Sequence, residues 1–295
     1  MTTKVMRLAI DRYIQQEQNY LTRLERVLDR HQIAVIKGLR DIFMFAFTPP
    51  FVGAFAKTFD PALAAVGAIP WYLADGGSIT NVLAAHQSLG AANLAASYDD
   101  IAHEATTWDC APGTAPTFDA SYGWDFTAAS SQYLEVGSGA IASAVPVTML
   151  VLFQSTSIVS FYALASIADT AAKNFFSIGP AGSITGDPVI AYVAQTTEVY
   201  AKSSTGYTAN NWFVGAAVFS ANNARAAYID GGSKGTDTTA KTPAGLDTTY
   251  IGCSHSGANR VSHLNGKIAA DAWFNVAKSD AEVLALSNAM LALVA

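Results

Sequence analysis

Charge is scarce in this sequence. Asp, Glu, Lys and Arg together supply 14% of its 295 residues, while 51% are hydrophobic. Such a surface is either rich in neutral Ser, Thr, Asn and Gly or partly hidden in an assembly, and the second reading is preferred. The net charge of −6 gives no general attraction to nucleic acid, so no nucleic-acid partner is expected. Two cysteines, Cys110 and Cys253, are too few for a disulfide scaffold, and two buried thiols are a simpler expectation than a bridge. A clean membrane-spanning run is also missing. The uncharged stretch 136–168 is divided by Gln154-Ser155-Thr156-Ser157 into two expected buried strands, 147–153 and 158–167. Lys4 and Arg7 lead into a charged helix rather than a short apolar core, so no signal peptide is read.

Catalytic signatures are missing too. Concanavalin-like glucanases carry E-x-D-x-E on one strand, where period-two alternation points the carboxylates into a single cleft. This chain has six glutamates and no such run. It has no G-x-S-x-G elbow and no phosphate-binding loop; Gly76-Gly77 and Gly231-Gly232 read as turns. His86, His103, His255 and His263 lack zinc-ligand spacing and read as surface or loop histidines. The expectation is a protein that is not an enzyme and needs no cofactor.

Three regions remain. Residues 1–44 hold the clearest helix, with Ile14, Leu21, Leu28, Val35 and Ile42 repeating every seven residues and Ile10 and Leu24 between them. Glu17, His31 and Gly38 interrupt the second set. Both a single amphipathic helix on a partner surface and a parallel coiled coil fit. Tyr13, Tyr20 and Val27 widen the stripe, which favours a homotrimer over a dimer. Residues 45–78 are apolar but broken by Pro49, Pro50, Pro61 and Pro70, too interrupted for a spanning helix. Packing into a particle and a membrane-active peptide are the two readings of that segment.

From residue 79 onward the chain reads as short strands and turns. WFVGAAVF (212–219), AAYIDGG (226–232), YIG (250–252) and LNGKIAADAWFNVAKSDAEVLAL (264–286) follow in order. The last contains Ser279-Asp280-Ala281-Glu282, a capping box ahead of a helical run. This order resembles the concanavalin A-like, laminin-G-like jelly roll, which implies an all-β antiparallel sandwich over 79–295 ending in a short helix. A second stretch is similar to the opening of jelly-roll domains in bacteriophage structural proteins: GAANLAASYDDIA (90–102), APGTAPTFDASYGWDF (111–126) and SSQYL (130–134).

The resemblance implies display on a virion, as capsid decoration, head fibre or tail fibre, beside major capsid, portal or tail proteins. Host-surface glycans are the implied ligands of the alternative, a carbohydrate-binding adhesin. A glycan-degrading enzyme of the same fold is the second alternative. Laminin-G-like domains often bind calcium through loop carboxylates, and Asp99, Asp100, Asp119 and Asp125 are the candidates here. As plain turn residues they need no ion. Asp230-Gly231 reads as a hairpin turn. Trp124, Trp212 and Trp273 read as core anchors, and Trp108, in TTWDCAPG, as the candidate exposed ligand contact.

Overall fold

The computed structural model describes residues 69–103, 106–257 and 259–295. The seam of Ile10, Ile14, Leu21, Leu24, Leu28, Val35 and Ile42, and most of the segment 45–78, lie outside the described residues. Pro70–Ala295 forms a unit of its own, an antiparallel jelly-roll-like sandwich with one C-terminal helix.

The eight-stranded sheet runs in space β13 (Gly232–Asp237), β12 (Ala224–Ile229), β11 (Trp212–Ala221), β6 (Val147–Ser155), β17 (Gly266–Phe274), β4 (Gly123–Phe126) and β3 (Thr117–Asp119), with β1 (Val82–Gln87) also on β17. The seven-stranded sheet runs β10 (Thr197–Gly206), β9 (Pro188–Gln195), β8 (Asn174–Pro180), β7 (Ala165–Ala168), β14 (Thr248–Ile251), β5 (Tyr133–Val136) and β2 (Cys110–Thr114). A hairpin of β15 (Ser254–Ser256) and β16 (Asn259–Val261) stands apart, and α1 (Asp280–Leu291) closes the chain.

Strand β6 is buried along almost its whole length. Its sheet is covered on both faces, so both alternating sets of side chains must be apolar, and the sequence there reads as an unbroken run. On the inner face Trp124, Phe153, Phe219 and Trp273 meet Leu134, Ile167, Phe176 and Ile251 of the other sheet. On the outer face Val283, Leu286 and Met290 of α1, with Trp71, Tyr72 and Leu73, cover Leu150, Leu152, Val214 and Phe274. Each such side chain contributes about 1.5–3 kcal/mol on burial.

That outer layer moves the expected boundary. Trp71–Leu73, which fall in the segment 45–78, are core residues of the sandwich. Asp75 pairs with Lys278, both side chains being at most 1% exposed. The sandwich therefore begins at Pro70 rather than at Ile79. The expected strand 158–167 is also shorter. Only Ala165–Ala168 is strand, and Phe161 makes a single bridge with Ala181.

The local signals hold elsewhere. Asp230 and Gly231 turn β12 into β13 with φ of 50° and 72°, the left-handed pair that a two-residue hairpin needs. Ser279 and Glu282 cap α1 reciprocally. Along one side the two sheets nearly touch: a Cβ on Gly235 of β13 would sit 1.7 Å from the Lys202 carbonyl oxygen of β10. Only glycine permits that approach.

Candidate functional site

The sequence-derived candidates do not converge. The carboxylate of Asp100 is buried and accepts from the Ala85 amide (2.9 Å), the Ala102 amide (3.0 Å) and His103 Nδ1 (2.7 Å). Asp119 is exposed and accepts from the amide and hydroxyl of Ser121, which hold its pKa down. Asp125 lies on β4 opposite Lys267, and Asp99 is exposed before the loop. Among the described residues no three His, Cys, Asp or Glu side chains gather as a metal site, these four aspartates included.

Trp108, the candidate exposed contact, is only partly exposed. It is half-buried against the inner core, and its carbonyl faces His86 Nε2 at 2.8 Å. His86 is no loop histidine either: it is fully buried on β1, with Nδ1 2.9 Å from Asp271 Oδ1 of β17. Burial opposes its charged form, yet Cys110 and Asp271 hold its pKa well above the ordinary imidazole value. Trp273 Nε1 donates to the same Asp271 oxygen at 2.7 Å. His255 is buried too, stacked on Tyr250 with ring centroids 5.9 Å apart. Cys110 and Cys253 are free, buried thiols.

A different place collects polar groups around a concave surface. A groove of about 380 Å³ lies where the outer face of β11, β12 and β13 meets the start of α1. Strand alternation sends Val218, Ala226 and Tyr228 to this face, where they form an apolar floor. Thr236 and Lys234 of β13 make one wall; Ala277, Ser279 and Asp280 make the other. The floor is covered although the walls are exposed: Tyr228 is 2% accessible, packed into the outer core with Lys234 and Asp280 meeting over it. Lys234 Nζ lies 5.6 Å from the Tyr228 ring centre and 2.7 Å from Asp280 Oδ1, which also accepts from the Tyr228 hydroxyl at 2.8 Å.

The electrostatics follow from that contact. Hydrogen bonds from Lys234 and Tyr228 hold the Asp280 carboxyl below the usual carboxylate range. Burial and the Asp280 bond push the Tyr228 phenol up to about 12. At the far end Arg225 is buried and paired with Asp237. The groove offers an aromatic ring beneath an exposed ion pair, with hydroxyls and carboxylates on its walls. Sequence reasoning used AAYIDGG and SDAE for the fold and missed that they meet here. The one available signal was a tyrosine on the outward-facing parity of β12.

A second aromatic surface lies on the outer face of β8, β9 and β10. Tyr192 packs edge-on against Phe175 and Phe161 with centroids 5.1 and 5.4 Å apart. Only Tyr200 of this set is exposed.

No protein-family model and no curated protein matches the sequence. Among solved structures, domain 4 of AbnA, a GH43 extracellular arabinanase from Geobacillus stearothermophilus, in complex with arabinotriose, superposes with a TM-score of 0.52 at 11% identity. The match covers 70% of this chain and 98% of that one. The CBM40 of Ruminococcus gnavus IT-sialidase, bound to α2,3 sialyllactose, gives 0.42 at 14% identity over 49% of this chain and 84% of that one. The leech intramolecular trans-sialidase gives 0.40 at 17% identity over 48% and 23%. The likeness to the arabinanase domain shows a shared β-sandwich fold.

Proposed function

We propose that this chain is a non-catalytic bacteriophage virion protein whose jelly roll, displayed on the particle as capsid decoration or head fibre, binds host-surface glycans through the groove over Tyr228. The groove carries the reading. Sugars are recognised by an apolar ring face beneath a ring of hydrogen-bonding groups. Here the ring lies under an exposed ion pair of a kind worth only about 0–1 kcal/mol. A sugar that parts Lys234 from Asp280 therefore gains the Tyr228 face at little cost. The arabinanase domain of similar fold, which is described in complex with arabinotriose, supports a glycan as the ligand class.

The virion assignment rests on the sequence segments between Gly90 and Leu134 and on the low charge of the chain. Display of several copies would raise a weak affinity through effective concentration. The non-catalytic reading rests on the sequence, whose six glutamates form no E-x-D-x-E run of the kind that supplies a glycosidase with its paired carboxylates. The adhesin of a tail or collar fibre differs from this reading in location only.

The test is glycan-array binding by the full chain and by Thr236→Trp. Thr236 is exposed on β13, so the indole fills the groove without entering the core. Expected is glycan binding that weakens at least about tenfold in the variant, at unchanged melting temperature. Binding that the indole leaves intact would place the site elsewhere, and an empty array would overturn the glycan reading. For the location, an antibody to the chain labels phage heads in electron micrographs; bare heads refute it.

A further inference from the structure

We propose that the groove takes neutral sugars and rejects those bearing a carboxylate, an inference that rests on the glycan-binding reading above. Three cations border the groove, and each already has its own carboxylate. Arg225 pairs with Asp237 through Nη1, while its Nη2 donates to the carbonyl oxygens of Asn222 (3.2 Å) and Thr239 (2.5 Å). Lys234 is held by Asp280 at 2.7 Å. Lys278 is buried against Asp75, lies 4.5 Å from the centre of the Phe274 ring, and has Glu282 Oε1 3.9 Å away.

The pairing leaves acceptors in surplus. A carboxylate offers about four lone-pair sites. On Asp280 the Lys234 and Tyr228 donors both use Oδ1, so half of its capacity is open to ligand hydroxyls. Asp237 is itself 24% exposed along the same groove. A neutral sugar brings hydroxyl donors that these oxygens accept. An acidic sugar brings a charge that can pair only with the Lys234 it parts from Asp280; it then leaves the Asp280 carboxylate unpaired beside it, meets Asp237 as well, and gains no net pairing for the water it sheds. Arg225 and Lys278 are unable to swing over as replacements, since their side chains are 2% and 1% exposed. Lys234 is the one cation that could change partner, and Asp280 is what holds it.

Selectivity is therefore set by Asp280, and a single substitution should invert part of it. The experiment is a glycan array carrying matched pairs, the same oligosaccharide with and without a terminal sialic or uronic acid, read with the full chain and with Asp280→Asn. Asparagine keeps a polar side chain at the first turn of α1 while releasing Lys234. For the parent chain the neutral member of each pair binds at least about tenfold better. In Asp280→Asn the acidic members gain at least about fivefold, and the gain disappears on raising salt toward 1 M, as a contact made by one exposed cation must.

Acidic members that bind the parent chain as well as, or better than, their neutral partners overturn the inference and leave the glycan reading standing. So does a variant whose ranking is unchanged while its circular dichroism melt matches the parent. An array on which nothing binds removes the glycan reading, and this inference falls with it.

Discussion

Replacing His86 should cost more than any other single histidine change, and the structure gives the size. His86 and Asp271 are both 0% exposed and lie 2.9 Å apart, joining β1 to β17. Both ring nitrogens face acceptors, the Asp271 carboxylate and the Trp108 carbonyl, so both must carry protons and the ring is an imidazolium. Asp271 Oδ2 is buried without a partner, so its charge is balanced by His86 alone, with Trp273 Nε1 as a further, neutral donor to Oδ1. Removing one member of such a pair costs about 3–5 kcal/mol, mostly as the uncompensated charge left behind. A domain of this size loses about 2–4 °C per kcal/mol, so His86→Leu should melt roughly 6–20 °C lower by circular dichroism.

The pH dependence has a definite sign. The folded pKa of His86 lies above its unfolded value, so its contribution is complete below about pH 6.5 and is lost as pH rises through the folded pKa. Parent stability should fall across that window, and His86→Leu should lack the fall. The double variant His86→Leu, Asp271→Leu should be more stable than the sum of the singles implies, because it removes both charges together. A cost below about 1 kcal/mol for His86→Leu, or singles that simply add, would refute the buried ion pair.

Two further outcomes follow from the fold. Ser279→Ala removes the cap hydroxyl, which accepts from the Glu282 amide and donates to Glu282 Oε2 at 2.6 Å; about 1 kcal/mol is expected, read as a fall of roughly 2–4 °C by calorimetry. A chain starting at Pro70 should melt like the whole sandwich, whereas one starting at Ser78 loses Trp71–Leu73 and strands Lys278 without Asp75, lowering the melt by at least about 6 °C. Solution mass of the full chain and of the Pro70 chain tests the seam at 1–44: the full chain is expected to be a trimer and the Pro70 chain a monomer. A monomeric full chain would sink the coiled coil.

The fold was legible where local chemistry dictates structure. Asp230-Gly231 needs positive φ, Ser279 and Glu282 cap each other three residues apart, and the apolar run of β6 reports a strand covered on both faces. Trp124 and Trp273 were correctly read as core. What was not legible depends on long-range partners. His86 meets Asp271 185 positions away, and no periodicity records such a meeting. Asp75 falls inside the segment read as an apolar anchor, and Lys278, which pairs with it, lies 203 positions later. Trp108 sits in a loop-like run, yet the core takes its ring. The groove combines residues from Val218 to Asp280, each of which had a sufficient local explanation.

The close approach of Gly235 to Lys202 bears on crowding. An unpaired strand edge is a template on which a neighbouring chain can continue a sheet. Here β13 and β10 turn their edges toward each other, with Thr205 Oγ1 donating to Ser233 Oγ at 2.6 Å. On the opposite side β3 is three residues long and β2 contains Pro112, which has no amide to offer. The flank of β1 is occupied as well, with the Ala85 amide given to Asp100 and its carbonyl to the Ile101 amide. At the edges of the two large sheets, copies held shoulder to shoulder would find no long ladder to extend, so a dense array of this domain stays an array of separate folded units instead of knitting into fibre.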